Sequence, residues 1–208
     1  KRERLEFDQV LVAVGRTTNI SPDMIKIGIK LDNQKKIQVN DKFMTSIPNI
    51  YAIGDAIRGP ALAHKASEEA IALSENLKGQ SGNVNYECLA SIVYTKPEIG
   101  SVGKTEQQIK KLNIKFKFSK FPLIANSRAK INHETEGFVK IIADAHSDKI
   151  LGVHIVASNA GEMIAEAAIA MEFSASSEDL ARTIFGHPSM SESIKESAMA
   201  IDKRAIHF

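Results

Sequence analysis

Phe138-Val139-Lys140-Ile141-Ile142-Ala143, the polar connection Asp144 to Lys149, and Ile150-Leu151-Gly152-Val153-His154-Ile155-Val156 form the stretch from which the fold is read. Two β-branched, apolar-rich runs on either side of a short polar connection predict an antiparallel hairpin. Downstream, Asn159-x-x-Glu162 predicts the capped start of an alanine-rich helix in which Ile164, Ala168 and Met171 share one face. The small side chains from Gly161 to Met171 permit close packing on a sheet or another helix. Glu178 to Ile184 predicts a further short helix. Upstream, Phe116 to Phe121 reads as a strand, Thr105-x-x-Gln108 as the capping box of a short helix, and Ser91 to Thr95 as a strand broken by Lys96-Pro97. From about Tyr86 onward the pattern is therefore α+β, an antiparallel sheet with flanking helices.

Before it, Gly79-Gln80-Ser81-Gly82-Asn83 reads as a linker, and Ala61 to Leu77 has helical spacing that stops at Lys78-Gly79. Val10-Leu11-Val12-Ala13-Val14, ended by Gly15-Arg16, predicts a buried strand, and Lys36 to Val39 and Ile50 to Ile53 are further strand candidates. The opening Lys1-Arg2-Glu3-Arg4 has neither an initiator methionine nor a signal-peptide pattern, and it reads as a chain entered in mid-domain. No internal repeat or low-complexity tract interrupts the 208 residues.

Composition narrows the function classes. The chain is 43% hydrophobic and 25% charged, ordinary for a globular protein. A net charge of +2 with scattered basic residues gives no reason to expect nucleic acid or an anionic membrane as partner. No apolar run approaches the roughly 20 residues that span a bilayer, so a soluble protein is expected. The single cysteine, Cys88, excludes an internal disulfide and fits a reducing compartment; no motif frames it as a nucleophile, so it reads as a packing residue. His133, His146, His154 and His207 lack metal-ligand spacing and read as structural or solvated, and no metal is expected.

The chemistry concentrates at Gly186-His187-Pro188-Ser189-Met190-Ser191-Glu192. A histidine titrates near neutrality, and a nearby carboxylate can orient the ring and fix its tautomer, which is what a general base needs. Proline restricts both itself and the residue before it. The same residues allow a second reading: Ser189-x-x-Glu192 ahead of Ile194, Ala198 and Ile201 fits a capping box that merely starts a terminal helix. Taken alone, the residues favour capping.

Thr45-Ser46-Ile47-Pro48-Asn49-Ile50-Tyr51-Ala52-Ile53-Gly54-Asp55, Ala61-Leu62-Ala63-His64-Lys65-Ala66, Ala125-Asn126-Ser127-Arg128-Ala129, Ile150-Leu151-Gly152-Val153-His154, Ala160-Gly161-Glu162-Met163-Ile164 and the His-Pro-Ser-x-Ser-Glu tail follow one another in order. Together they resemble the C-terminal part of the dihydrolipoamide dehydrogenases, flavoenzymes of the pyridine nucleotide-disulfide oxidoreductase family, over essentially the whole chain.

The resemblance implies the end of an NAD-binding α/β domain at residues 1–16, a small central domain with an FAD-contacting segment at 17–85, and an interface (dimerisation) domain at 86–208. It implies FAD and NAD as cofactors. Asp55 would accept hydrogen bonds from the ribityl hydroxyls. Ala61, Leu62, Ala63 and His64 would place a helix N-terminus by the flavin, and Gly15 would pass close to NAD. It implies His187 as the base that deprotonates the dithiol of dihydrolipoamide and Glu192 as the group that orients it, acting across a homodimer. This reverses the preference for capping.

The same resemblance implies as partners the lipoyl and subunit-binding domains of a 2-oxoacid dehydrogenase acyltransferase, in the cytoplasm or alternatively the mitochondrial matrix. Phe185-Gly186 departs from the family's usual His-Ala, which removes a second histidine. The chain contains neither a Gly-x-Gly-x-x-Gly nucleotide fingerprint nor a Cys-x-x-x-x-Cys redox pair. The family carries these in its N-terminal half, so this chain is expected to be inactive alone. Alternatives are a glutathione or mercuric reductase type of enzyme, and a non-catalytic dimerisation or docking module. Ala160-Gly161-Glu162-Met163-Ile164 and Asn126-Ser127-Arg128-Ala129 are closer to the lipoamide enzymes.

Overall fold

Residues 138–157 fold as two apolar runs about a polar connection dictate, into two antiparallel strands, and the rest of a five-stranded sheet assembles on them. The computed structural model describes residues 3–208, which divide into two units, one ending at Val84 and one spanning Asn85–Phe208.

In the second unit the strands are β1 (Ser91–Val93), β2 (Glu98–Gly103), β3 (Phe116–Pro122), β4 (Phe138–Asp144) and β5 (Ile150–Ala157), all antiparallel in the order β1-β2-β5-β4-β3. The register pairs Ile141 with Val153 and Ser119, and Val139 with Ile155 and Phe121. Because side chains alternate along a strand, these residues share one face. All of them are buried. The opposite face carries Lys120, Lys140 and His154 in the same register.

Between β2 and β3 lies α1 (Glu106–Lys111). Its capping box closes both ways between Thr105 and Gln108, as the sequence predicts. After β3 comes α2 (Ser127–Asn132), and after β5 come α3 (Ala160–Glu172), α4 (Ser177–Arg182) and α5 (Glu192–Ala200). Helix α3 packs on β2 and β5, and α5 on β3 and β4. Ser119 and Ser197 fix the second contact: Ser119 Oγ donates to the Ser197 carbonyl at 2.6 Å, and Ser197 Oγ donates to the Val139 carbonyl at 3.1 Å. The core is the apolar layer between sheet and helices, including Val139, Ile141, Val153, Ile155, Met163, Ile164 and Ile194.

One expected cap is absent. Asn159 stands at the N-cap of α3, but its backbone (φ −132°, ψ 37°) leaves the side chain without a capping bond, and its Oδ1 is buried without a partner.

The sheet leaves no room at Gly137. Its φ is +118°, and a Cβ there would lie 1.9 Å from the Val156 carbonyl oxygen. Gly137→Ala is therefore expected to cost roughly 1–3 kcal/mol of stability, measurable as a lowered urea midpoint at unchanged slope.

In the first unit the sequence reading needs correction. Val10 to Val14 forms no strand, and Val10, Leu11, Val12 and Val14 are each at least 75% exposed. A doubly buried strand exists only when neighbours supply its hydrogen bonds and cover both faces. None does so among the described residues. Lys1 and Arg2 lie outside the described residues. Lys36 to Val39 and Ile50 to Ile53 likewise stop short of strands, forming only the isolated bridges Leu31 to Ile37 and Met44 to Tyr51. The unit is built instead on a short helix at Pro22–Lys26, a single 3-10 turn at Gly54–Ala56 and the long helix Ala63–Leu77. Ile29, Ile37, Phe43, Ile57 and Ala72 form its core.

Candidate active site

His187 lies in the loop entering α5, and its Nδ1 is 3.0 Å and 3.2 Å from the two carboxylate oxygens of Glu192. A carboxylate there requires the proton on Nδ1. The neutral ring then presents Nε2 as a free base. The imidazole is 66% exposed, whereas Glu192 is only 24% exposed. Ser189 N–H also donates to Glu192 Oε2 at 2.9 Å, and Glu192 N–H donates to Ser189 Oγ at 3.3 Å. The reciprocal Ser189–Glu192 bonds and the histidine–carboxylate pair share a single carboxylate, but α5 starts at Glu192 with Ser191 at its N-cap and no side-chain cap bond, so Ser189 is not the helix cap that the sequence predicts. Partial burial opposes charge on Glu192, but the Ser189 N–H, His187 and, more weakly, His207 outweigh it and hold the carboxyl below its usual range.

The loop is clamped by residues that the sequence reading did not single out for this role. Asn126, buried at the N-cap of α2, donates from Nδ2 to the Ser189 carbonyl at 2.9 Å, while its Oδ1 caps Ala129. Ser191 Oγ donates to Glu166 Oε1 of α3 at 2.6 Å. The His187–Pro188 peptide is cis.

His207, which reads from the sequence as structural or solvated, is 58% exposed and also borders this site. Its Nδ1 is 2.8 Å from Glu196 Oε1, and both residues line one small cleft with His187 and Glu192. No sequence spacing connects residue 207 to residue 187. Only the path of the terminal segment does.

In the first unit a cleft of about 300 Å³ is lined by Arg16, Thr17, Thr18, Asn19, Lys36, Asp55, Ala56 and Ala61. It therefore gathers Asp55 and Ala61. Leu62 is the N-cap of the helix Ala63–Leu77 and makes no side-chain cap bond, and Ala63 and His64 are exposed in its first turn. Gly15 has φ +135°, with nothing within 4 Å of a Cβ position.

The Gly54-Asp55 turn is held from beneath by a pair that sequence reasoning missed. Lys65 Nζ and Glu69 Oε1 are 2.8 Å apart and fully buried. Lys65 donates to the Gly54 carbonyl at 3.0 Å, and Gly54 N–H donates to Glu69 Oε2 at 2.6 Å. A Lys–Glu pair four residues apart on a helix ordinarily reads as a solvated surface pair. The signal available was its place one turn into a helix that follows a Gly-Asp turn.

Cys88 is half-buried. Burial and the neighbouring Glu172 push its thiol up, which suits a packing residue rather than a nucleophile.

Comparison with known proteins follows the same division. Residues 89–198 match the family described as "Pyridine nucleotide-disulphide oxidoreductase, dimerisation domain", and residues 1–70 match "Pyridine nucleotide-disulphide oxidoreductase". The chain is 52% identical over 204 residues to dihydrolipoyl dehydrogenase 1, mitochondrial, of Arabidopsis thaliana, covering 98% of this chain and 40% of that protein. It is 53% identical over 197 residues to leghemoglobin reductase of Glycine max, covering 94% of this chain and 38% of the relative. Among solved structures, LpdA from Mycobacterium tuberculosis matches with a TM-score of 0.82 at 29% identity, over 89% of this chain and 41% of that one. The chain thus spans about 40% of the length of these relatives. A five-stranded antiparallel sheet under two helices, matched over more than half the chain by the model of that dimerisation domain, makes this chain a member of the pyridine nucleotide-disulphide oxidoreductase family.

Proposed function

We propose that the chain is the C-terminal part of a dihydrolipoyl dehydrogenase. The observation that carries this reading is the His187–Glu192 pair, with Nδ1 at the carboxylate of Glu192 on a largely exposed imidazole. Oxidation of a dithiol begins with a thiolate, so a base must take the thiol proton. On this reading His187 Nε2 accepts that proton, Glu192 stabilises the resulting imidazolium, and the thiolate attacks a disulfide in the N-terminal part of the enzyme. The electron pair finally reduces NAD.

FAD, when bound, supplies the two-electron relay between the dithiol and the nucleotide. The residues present fit it. Asp55 would offer a carboxylate to ribityl hydroxyls, and the start of the helix Ala63–Leu77 would place its positive dipole end beside the flavin. Gly15 is proposed to pass near NAD. Residues 1–16 are read as the end of the NAD-binding domain, 17–85 as the central domain and 86–208 as the interface domain.

The working unit is proposed to be a homodimer in which His187 serves the partner's active site. Exposed Tyr94, Ile169, Phe173 and Ile184 supply apolar surface for that contact. The acyltransferase's lipoyl and subunit-binding domains are the proposed further partners. The relative's name gives a mitochondrial location, which supports the matrix for this protein.

The test is an assay of the full-length enzyme purified with its flavin. Reduction of NAD by dihydrolipoamide is expected, with little reduction of glutathione disulfide by NADPH. The opposite preference would overturn the reading.

A further inference from the structure

Glu196 is 6% exposed, and its carboxylate accepts the backbone N–H of Ile206 at 2.8 Å, that of His207 at 3.4 Å, and His207 Nδ1 at 2.8 Å. These bonds fold the terminal segment back against α5, where Phe208 meets Phe121 edge-on with centroids 6.3 Å apart. Glu196 is one helical turn beyond Glu192, so both carboxylates lie on the same side of α5.

The cleft they share is about 20 Å³, room for about one water. It is lined by His187, Glu192, Glu196 and His207, with uncharged Asn126, Ser127, Ala125 and Phe121 contributed by β3 and the start of α2. Glu166 of α3 lies behind Ser191 and is bonded to it. The Lys117–Asp202 pair stands beyond the far end of α5. Two imidazole–carboxylate pairs therefore line one small cleft.

We propose that the His207–Glu196 pair is a second, proton-coupled arm of the site, in which His207 is a positioning residue that acts on His187 and Glu192 through the shared cleft. This rests on His187 being the base. With His207 protonated, its charge neutralises Glu196 and disfavours a second imidazolium at 187. The base is then kept in its neutral, working form to lower pH. With His207 neutral, the bare Glu196 carboxylate favours the proton on His187.

The test uses full-length enzyme and the acid limb of kcat/KM for dihydrolipoamide. His207→Asn keeps a hydrogen-bond donor for Glu196 but no titratable proton, and it should move the acid limb up by roughly half a pH unit. His207→Arg holds a permanent positive charge and should move it down. A merely structural role would not give opposite signs. An acid limb that stays put in both variants, or moves the same way in both, overturns the proposal.

The coupling can also be read without turnover, from the NMR titration of the His187 ring in the 208-residue chain. His207→Asn should raise its midpoint, and an unchanged midpoint overturns the proposal. If instead His187→Gln leaves thiol oxidation at the wild-type rate, the base assignment fails on its own, and the two failures are distinct.

Discussion

Full-length enzyme carrying His187→Gln is expected to be reduced by dihydrolipoamide roughly 10² to 10⁴ times more slowly than wild type, with fold and flavin retained. The imidazole is largely exposed, so removing it leaves no cavity. Glutamine can still donate to Glu192, but it offers no base. Reoxidation of the reduced flavin by NAD should be spared, because that half-reaction deprotonates no thiol.

Glu192→Gln should act in the same direction and more mildly, since the imidazole remains but loses its orienting charge. It should also loosen the loop, because Glu192 accepts the Ser189 N–H as well as the ring. The two changes should be less than additive, as for groups acting as one unit. Stopped-flow measurement of the two half-reactions decides the matter: wild-type flavin reduction in His187→Gln would leave the pair as a structural tie of the loop and no more.

The second large effect is expected in stability. Breaking the Lys65–Glu69 pair by Glu69→Ala or Lys65→Met should cost roughly 3–5 kcal/mol, because each leaves a buried charge without its counter-charge. Both residues are fully buried, and each also holds one polar group of Gly54. Gly54 cannot adjust easily, since its φ is +68° and a Cβ there would stand 3.1 Å from Ala66 Cβ. The double change Lys65→Met with Glu69→Leu should recover much of the loss, though Gly54 would still lack partners for its N–H and carbonyl. Denaturant titration of the three variants tests this. Single variants as stable as wild type would show that water reaches the pair.

The sheet of the second unit was legible because its strands are apolar, β-branched runs bounded by polar connections and its caps are local. Phe138 to Val156 needed only two apolar runs on either side of a polar connection, and Thr105 with Gln108 only a four-residue motif. The first unit was less legible. Val10 to Val14 has the composition of a buried strand, yet strand formation depends on a neighbour that periodicity within the run cannot reveal. Asn159 has the right type and spacing for a cap, but its backbone angles take the side chain away from the bond.

At the site, His187 and Glu192 were readable because they lie five positions apart along one loop and helix start, so local geometry alone can bring them together. By itself the sequence determined the antiparallel sheet with its helices, the histidine–carboxylate pair, and the Gly54-Asp55 turn ahead of a helix. The tertiary structure alone decided that Asn126 and Glu166 clamp the loop, that Lys65 and Glu69 hold Gly54 from within the core, and that His207 returns to the cleft that His187 lines. Each of these depends on burial or on contacts between elements distant in the chain. A hydrogen bond or charge pair across such a distance leaves no period or spacing in the sequence, because the packing of the intervening elements sets it.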